Sequence, residues 1–341
     1  YATSPLWEYV PPALSIVEAG QVWQLTSGTD VYLITRTVDE FDVVTYVVSR
    51  PTIGAVAVAA SIGVAFGGTT GVAVSGAGAY ARNEIAGSAV ALASGSALDS
   101  AGAVTLRADS SASVVATIVA ASLSVGIGGT AGIGVSIGIA IAENAIGSYG
   151  DDADGDGFAD RVPRVVRAAL ENTSVDAAGE LRQTATADQS ISALVIAASA
   201  AVAIGGTVGV GVSGAGAISF NEIVTDIAAT IAGNAPAAQT LRGIEATLVT
   251  LLATDSSAIR ALTLGASLAA AFSGTAAVAV SIAVSLAQNT IDNAVTAGIS
   301  GVGDGVTAGS VTLTATSNAR IDSLSVAASL AAAGGLVGVA V

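Results

Sequence analysis

Four copies of one apolar unit, and the start of a fifth, occupy most of this chain. Each copy has an apolar arm, a short turn, a second apolar arm and an Asn. The turns are Gly67-Gly68, Gly128-Gly129, Gly205-Gly206, Ser273-Gly274 and Gly334-Gly335, and the second arms run to Asn83, Asn144, Asn221 and Asn289. Ser75, Ser136, Ser213 and Ser281 each stand eight residues before the Asn of their unit. Fixed internal spacing marks an array in which every unit leans on its neighbours. Arrays are built for length and surface rather than for a single reaction.

The arms carry the period of a strand. From Ile133 one parity reads Ile133, Val135, Ile137, Ile139, Ile141, and the other reads Gly132, Gly134, Ser136, Gly138, Ala140, Ala142, Asn144. The arm from Val278 splits the same way, with Val278, Val280, Ile282, Val284 and Leu286 on one parity. A helix would mix these sets around its circumference, and Gly at alternate positions costs a helix about 1 kcal/mol each relative to Ala. A hydropathy window flags Ile191 to Ile218 as membrane-spanning. Each arm alone is nevertheless shorter than the ~20 residues that a spanning helix needs. The large side chains keep one parity across the turn, as at Ile127 and Ile133, so an antiparallel hairpin would put both large sets on one face. The expected fold is all-β: an elongated tandem-repeat array, either a β-solenoid or stacked long β-hairpins. Its sheets would be apolar on both faces, one aliphatic and one of Gly, Ala and Ser, each covered by neighbouring repeats or chains.

Composition narrows the chemistry. Charged residues are 11% of the chain against a usual share of about 25%, the net charge is −15, and every basic residue is Arg. No basic footprint for nucleic acid or for an anionic membrane is present. Cys, Met, His and Lys are absent, which removes disulfides, thiolate and imidazole metal sites, and the usual nucleophiles and bases. The acids stand singly in connectors or in one Asp cluster, with nothing to set two of them across a pocket. An enzyme is not expected.

Residues 1–50 differ from the rest, holding Trp7, Trp23 and Pro11-Pro12, and read as an N-terminal β segment or linker. The units then run over 51–108, 109–186, 187–253, 254–315 and a truncated 316–341. They alternate in type. The first and third share Ser-Gly-Ala-Gly-Ala before Asn83-Glu84-Ile85 and Asn221-Glu222-Ile223, whereas the second and fourth stay aliphatic up to Glu143-Asn144 and Gln288-Asn289. Odd and even units are therefore expected in different environments. The chain starts without Met and stops inside an apolar arm, so it is expected to be an internal piece of a longer protein.

The Ala120-Ala121-Ser122-Leu123 and Ala327-Ala328-Ser329-Leu330 first arms, with the Gly-Val-Ala-Val-Ser-Gly-Ala-Gly-Ala second arm from Gly71, carry a family likeness over about residues 51–341. They resemble the tandem β-strand repeats of giant bacterial surface proteins, including leukotoxin-type filamentous adhesins. The resemblance implies a secreted, surface-attached, elongated protein and transfers no catalytic or receptor-binding residue.

One local motif points to a metal. Asp152, Asp154, Asp156 and Asp160 occupy positions 1, 3, 5 and 9 of a loop with Gly157 at position 6. This is the logic of a calcium loop, with the Phe158 carbonyl as a further ligand. The bidentate acid of position 12 is replaced by Pro163, which sets the loop (151–160) apart from an EF-hand and nearer the shorter calcium loops of extracellular modules. The alternative is a solvated acidic turn balanced by Arg161, Arg164 and Arg167. The Ser and Asn of the small face would form stacked polar ladders if the repeats align; otherwise each Asn closes its strand in a turn.

The functional expectation is a structural or adhesive extracellular filament on a bacterial cell surface. It would be stabilised by calcium, pair with copies of itself in a fibre, and contact a host or neighbouring cell. The alternative is a membrane-inserting β structure, a barrel or pore-forming segment, whose aliphatic face meets lipid. Against it stand the scarcity of aromatics for interface girdles and the lack of a polar lumen. A flat ice-binding surface is a third and weaker reading.

Overall fold

Alternation of branched aliphatic residues with Gly, Ala and Ser suits a pleated chain whose two faces meet different surroundings, and every arm is a strand. A computed structural model describes residues 21–27, 30–36, 43–149, 161–233 and 243–341; Trp7 and Pro11-Pro12 lie outside them. In chain order, β1 (Gln21–Ser27) and β2 (Asp30–Arg36) form an antiparallel pair. Then come β3 (Val43–Ser49), β4 (Thr52–Gly67) and β5 (Thr70–Ile85), with the short β6 (Ser88–Ser94) and β7 (Ala97–Ser100). Grouped by basal strand and the two arms that follow it, the second turn of the chain brings β8 (Val104–Ser110), β9 (Ser113–Gly128), β10 (Ala131–Ile146), the two-residue β11 (Ser148–Tyr149) and β12 (Arg161–Val162), and β13 (Arg164–Glu171). The third has β14 (Ser174–Ala187), β15 (Ser190–Gly205) and β16 (Val208–Ala232). The fourth has β17 (Ile244–Asp255), β18 (Ala258–Ser273) and β19 (Ala276–Ser300), and β20 (Val306–Ser317), β21 (Arg320–Gly334) and β22 (Val337–Ala340) complete the described chain.

The fold is all-β with three parallel sheets. A basal sheet is ordered β20-β17-β14-β8-β3, a first-arm sheet β21-β18-β15-β9-β4, and a second-arm sheet β22-β19-β16-β10-β5. The chain visits the three sheets in turn, and each strand pairs in parallel with its counterpart one unit away. Val43–Ser49 of the N-terminal segment joins the basal sheet through β8.

The expected antiparallel pairing within a unit is corrected here. The two arms of a unit lie in different sheets and share no ladder: β9 pairs with β4 and β15, and β10 pairs with β5 and β16. The arrangement is an arch rather than a hairpin, and the reason lies in the small face. A hairpin would leave that face bare, whereas an arch mates the small faces of both arms. It also stacks like on like, with Ser136 between Ser75 and Ser213 and Asn144 between Asn83 and Asn221.

Two kinds of interior result. Between the basal sheet and the lower half of the second-arm sheet lies an ordinary aliphatic core, in which Leu106, Leu181 and Leu251 pack with Leu170, Ile227 and Ile231. Between the two arm sheets the interior is mostly small, with Ile118 and Val195 at its lower end, then Ala120, Ala140, Ala142, Ala197 and Ala217, and further out Ala203, Ala271 and Ala279. A seam of isoleucines, Ile85, Ile146, Ile191, Ile223 and Ile259, separates the two. The arm sheets thus form a thin blade rising from a conventional base. The blade's sheets approach so closely that a Cβ at Gly138 would sit 2.6 Å from the Ala198 carbonyl oxygen, and one at Gly126 1.9 Å from that of Ile133. Only glycine admits such contact.

Candidate interaction surface

Because the small side chains mate inside the blade, the large ones point out. Phe66, Ile62 and Val74 are 76%, 74% and 67% exposed, and even Ile137 and Ile139, with strands on both sides, are 49% and 45% exposed. Both outer faces of the blade are aliphatic, so the expectation of covered aliphatic faces does not hold within one chain. Above Ile118 and Val195, large side chains are excluded from the interior by the close approach at Gly126, Gly132, Gly134 and Gly138. The blade carries no charge over residues 51–81, 110–142, 190–221, 261–291 and 323–341, turns included. Contiguous apolar surface on this scale marks an interaction site.

The two faces differ in relief. On the first-arm sheet, Ala60, Ala121, Ala198, Ala266 and Ala328 align across the strands. They floor a shallow groove of 480 Å³ with Ile62, Leu123, Leu268 and Leu330 along it. On the second-arm sheet, the odd units set Gly76 and Gly214 beside the Ile137 and Ile282 of the even units. One pleat further, Gly78 and Gly216 stand beside Ile139 and Val284. Odd and even units therefore share the same sheet rather than different environments, and differ on this face only in relief, as alternating strands.

Inside the blade the predicted polar ladders form. Asn83 Nδ2 donates to Asn144 Oδ1 at 2.8 Å, Asn144 Nδ2 to Asn221 Oδ1 at 2.7 Å, and Asn221 Nδ2 to Asn289 Oδ1 at 2.8 Å. These Asn lie within strands and close no turn. The serines of facing arms meet across the blade, Ser122 with Ser136 and Ser199 with Ser213, each at 2.6 Å. Asn144 and Asn221 each donate to one neighbour and accept from the other, and Asn289 passes its donor on to Ser323 Oγ at 3.0 Å, so burial leaves the inner column satisfied.

The proposed calcium ligands Asp152, Asp154, Asp156, Phe158 and Asp160 lie outside the described residues. Their setting is visible on either side. Ser148 pairs with Val162 and Tyr149 with Arg161, so a short antiparallel clip closes the segment. In the third unit β16 runs unbroken, pairing Ile223 with Ile146 and Thr225 with Arg164. Residues 147–163 are thus an insertion into a strand that the third and fourth units keep whole and that the first breaks only at Ala86-Gly87. The nearby arginines are engaged in the fold. Arg161 pairs with Glu222 at 2.7 Å, and Arg167 pairs with Glu171. Arg164 is buried, with Nε donating to Ser110 Oγ at 3.0 Å, one terminal nitrogen to Ser49 Oγ at 2.7 Å and the other to the Ala86 carbonyl at 2.8 Å. Composition gave no hint of that staple, because an Arg four residues past an acidic loop reads as its counter-charge.

The base carries one polar cluster. Tyr46 Oη donates to Asp109 Oδ2 at 2.8 Å and Arg107 Nε to the same oxygen at 2.7 Å, with the guanidinium 5.2 Å from the centre of the Tyr46 ring. Burial, and then the bond to Asp109, push the Tyr46 phenol above its ordinary value. The bond to Asp109 likewise raises Arg107. Among the described residues no three acidic side chains gather so as to hold a metal ion, and no helix is long and apolar enough to cross a membrane. Comparison of the chain with protein families, with curated proteins and with solved structures gives no match.

Proposed function

We infer that this chain is a structural segment of a self-associating extracellular filament, built as a β-solenoid in which each sequence unit adds one turn. It works through its surface and carries out no reaction. The observation behind this reading is the in-register column of Asn83, Asn144, Asn221 and Asn289. Such a column extends by addition of further units, each adding about 4.8 Å of length at the cost of one more turn. The resemblance to giant bacterial surface proteins supports a place at a bacterial cell surface, where an adhesive contact with a host or neighbouring cell would use the exposed faces.

Calcium belongs to the same proposal. Asp152, Asp154, Asp156, the Phe158 carbonyl and Asp160 would hold one ion and stiffen the insertion between β11 and β12. Electron microscopy of the purified chain over a concentration series, with calcium and with a chelator, tests both parts. Straight fibres that fray on chelation are expected. Isolated globular particles at every concentration contradict the filament, and fibres indifferent to chelator remove calcium from it.

A second reading draws on the charge-free blade. Eleven residues of strand span about 36 Å, comparable to the ~30 Å hydrocarbon core of a bilayer. Insertion would place the outer edges of β4, β5 and β21 in lipid with unpaired backbone groups, which hydrocarbon does not tolerate. Flotation of the chain with phosphatidylcholine vesicles would favour this reading over the filament.

A further inference from the structure

The glycines inside the blade and those outside it have different causes. Gly138 and Gly126 are forced by facing backbone, as the Cβ distances above show. Gly76, Gly78, Gly214 and Gly216 point outward, and nothing inside the chain requires them. A Cβ added at Gly78, Gly214 or Gly216 meets no atom within 4 Å, and at Gly76 only one carbonyl oxygen at 3.9 Å. None of the four has positive φ. Glycine within a strand weakens it and often marks close approach by another body. These four sit at two adjacent levels on one face, and their lateral neighbours at the same levels are Ile137, Ile139, Ile282 and Val284. Across the sheet the order β19, β16, β10, β5 therefore reads knob, pit, knob, pit. The rows above and below are uniform, with Val74, Val135, Val212 and Val280 on one side and Tyr80, Ile141, Ile218 and Leu286 on the other.

We propose that the outer face of the second-arm sheet docks against the same face of a second copy of this chain, with the isoleucine knobs of each seated in the glycine pits of the other. The pattern is self-complementary under one symmetry operation. A two-fold axis parallel to the strands, between β10 and β16, sets β10 against the partner's β16 and β5 against the partner's β19. Height along the strand is preserved, so Ile139 meets Gly216, Ile137 meets Gly214, and Ile282 and Val284 meet Gly76 and Gly78. Such an isologous contact repeats every interaction twice. The charge-free part of the face that this operation overlaps, β5, β10, β16 and β19, is four strands wide and about eleven residues tall, or roughly 19 by 36 Å. That is about 700 Å², within the ~600–1,000 Å² per partner of a standard stable interface. Opposed dry faces with interdigitated side chains of matched repeat are the geometry of a steric zipper. The proposal rests on the self-association in the filament reading and names the surface that carries it.

A swap of knob and pit tests it. Sedimentation velocity over a concentration series would compare the full chain with Ile139→Gly, Gly216→Ile and the double variant, with circular dichroism as the check on folding. Pit against pit and knob against knob should each weaken the pair about tenfold or more, because each defect occurs twice. The double variant restores knob against pit and should recover the parent's association. Equal association of parent and single variants overturns the proposal, as does a double variant weaker than either single. A second route does not depend on those substitutions folding well. The chain has no Cys, so a mixture of Ile139→Cys and Gly216→Cys chains should give mixed disulfide dimers on mild oxidation, and their absence counts against the interface. Rods by microscopy whose association ignores all these changes would sink the docking surface alone; compact globules would sink the filament reading itself.

Discussion

Asn144 stands in the middle of the buried amide column, donating to Asn221 and accepting from Asn83. Asn144→Ala strands a donor on one neighbour and an acceptor on the other. At about 1–3 kcal/mol for each of the two stranded groups, urea unfolding should show a loss of roughly 2–6 kcal/mol. Gln183 makes the opposite case. It is fully buried in the basal core, between Leu106 and Leu251 in register, and neither of its amide atoms has a hydrogen-bond partner. Gln183→Leu removes that penalty and continues the leucine row, and should raise the unfolding free energy by about 1–3 kcal/mol. Tyr46 supplies a pH signature. Its folded pKa lies above the ordinary 10.0, so its contribution to stability is present below the unfolded value and is lost as pH rises through the folded one. Tyrosinate absorbance should show one phenol titrating late, and Tyr46→Phe should abolish that component.

At the scale of the element, each arm sorts its residues by which side tolerates bulk. Gly138→Val forces a side chain against the Ala198 backbone and should cost about 3 kcal/mol or leave the blade unformed. Gly54→Val points into open space, where no atom lies within 4 Å of the added Cβ. It should be neutral or stabilising by up to ~1 kcal/mol. Thermal unfolding of the two variants side by side checks the assignment of inside and outside. Much of this element was legible beforehand: period two at Ile133–Ile141, the constant parity across Gly128-Gly129, and the Ser–Asn spacing that becomes two ladders. What was not legible is which strand a strand bonds to. Parity says that Ile127 and Ile133 share a face, and a hairpin and an arch satisfy that equally. Nor does hydrophobicity order inside and outside here, since ranking by side chain would bury Ile139 ahead of Ala140. Close backbone approach reverses that order, and it shows only when Gly138 is seen against Ala198. The acidic loop was legible as a motif and as an insertion, and the structure adds the strand it interrupts.

For the whole molecule, counterparts far apart in sequence are nearest neighbours in space. Filament growth, the alternating relief of the second-arm face and the docking of copies all depend on that stacking. The chain's lack of Cys makes it directly testable. Asn144 and Asn221 are 77 residues apart and their side chains touch, within reach of a disulfide between adjacent strands. A chain carrying Asn144→Cys and Asn221→Cys, oxidised at a concentration where it sediments as a monomer, should form one intrachain disulfide, visible by peptide mass mapping. Two free thiols in a folded, β-rich chain would contradict the parallel stacking and everything built on it.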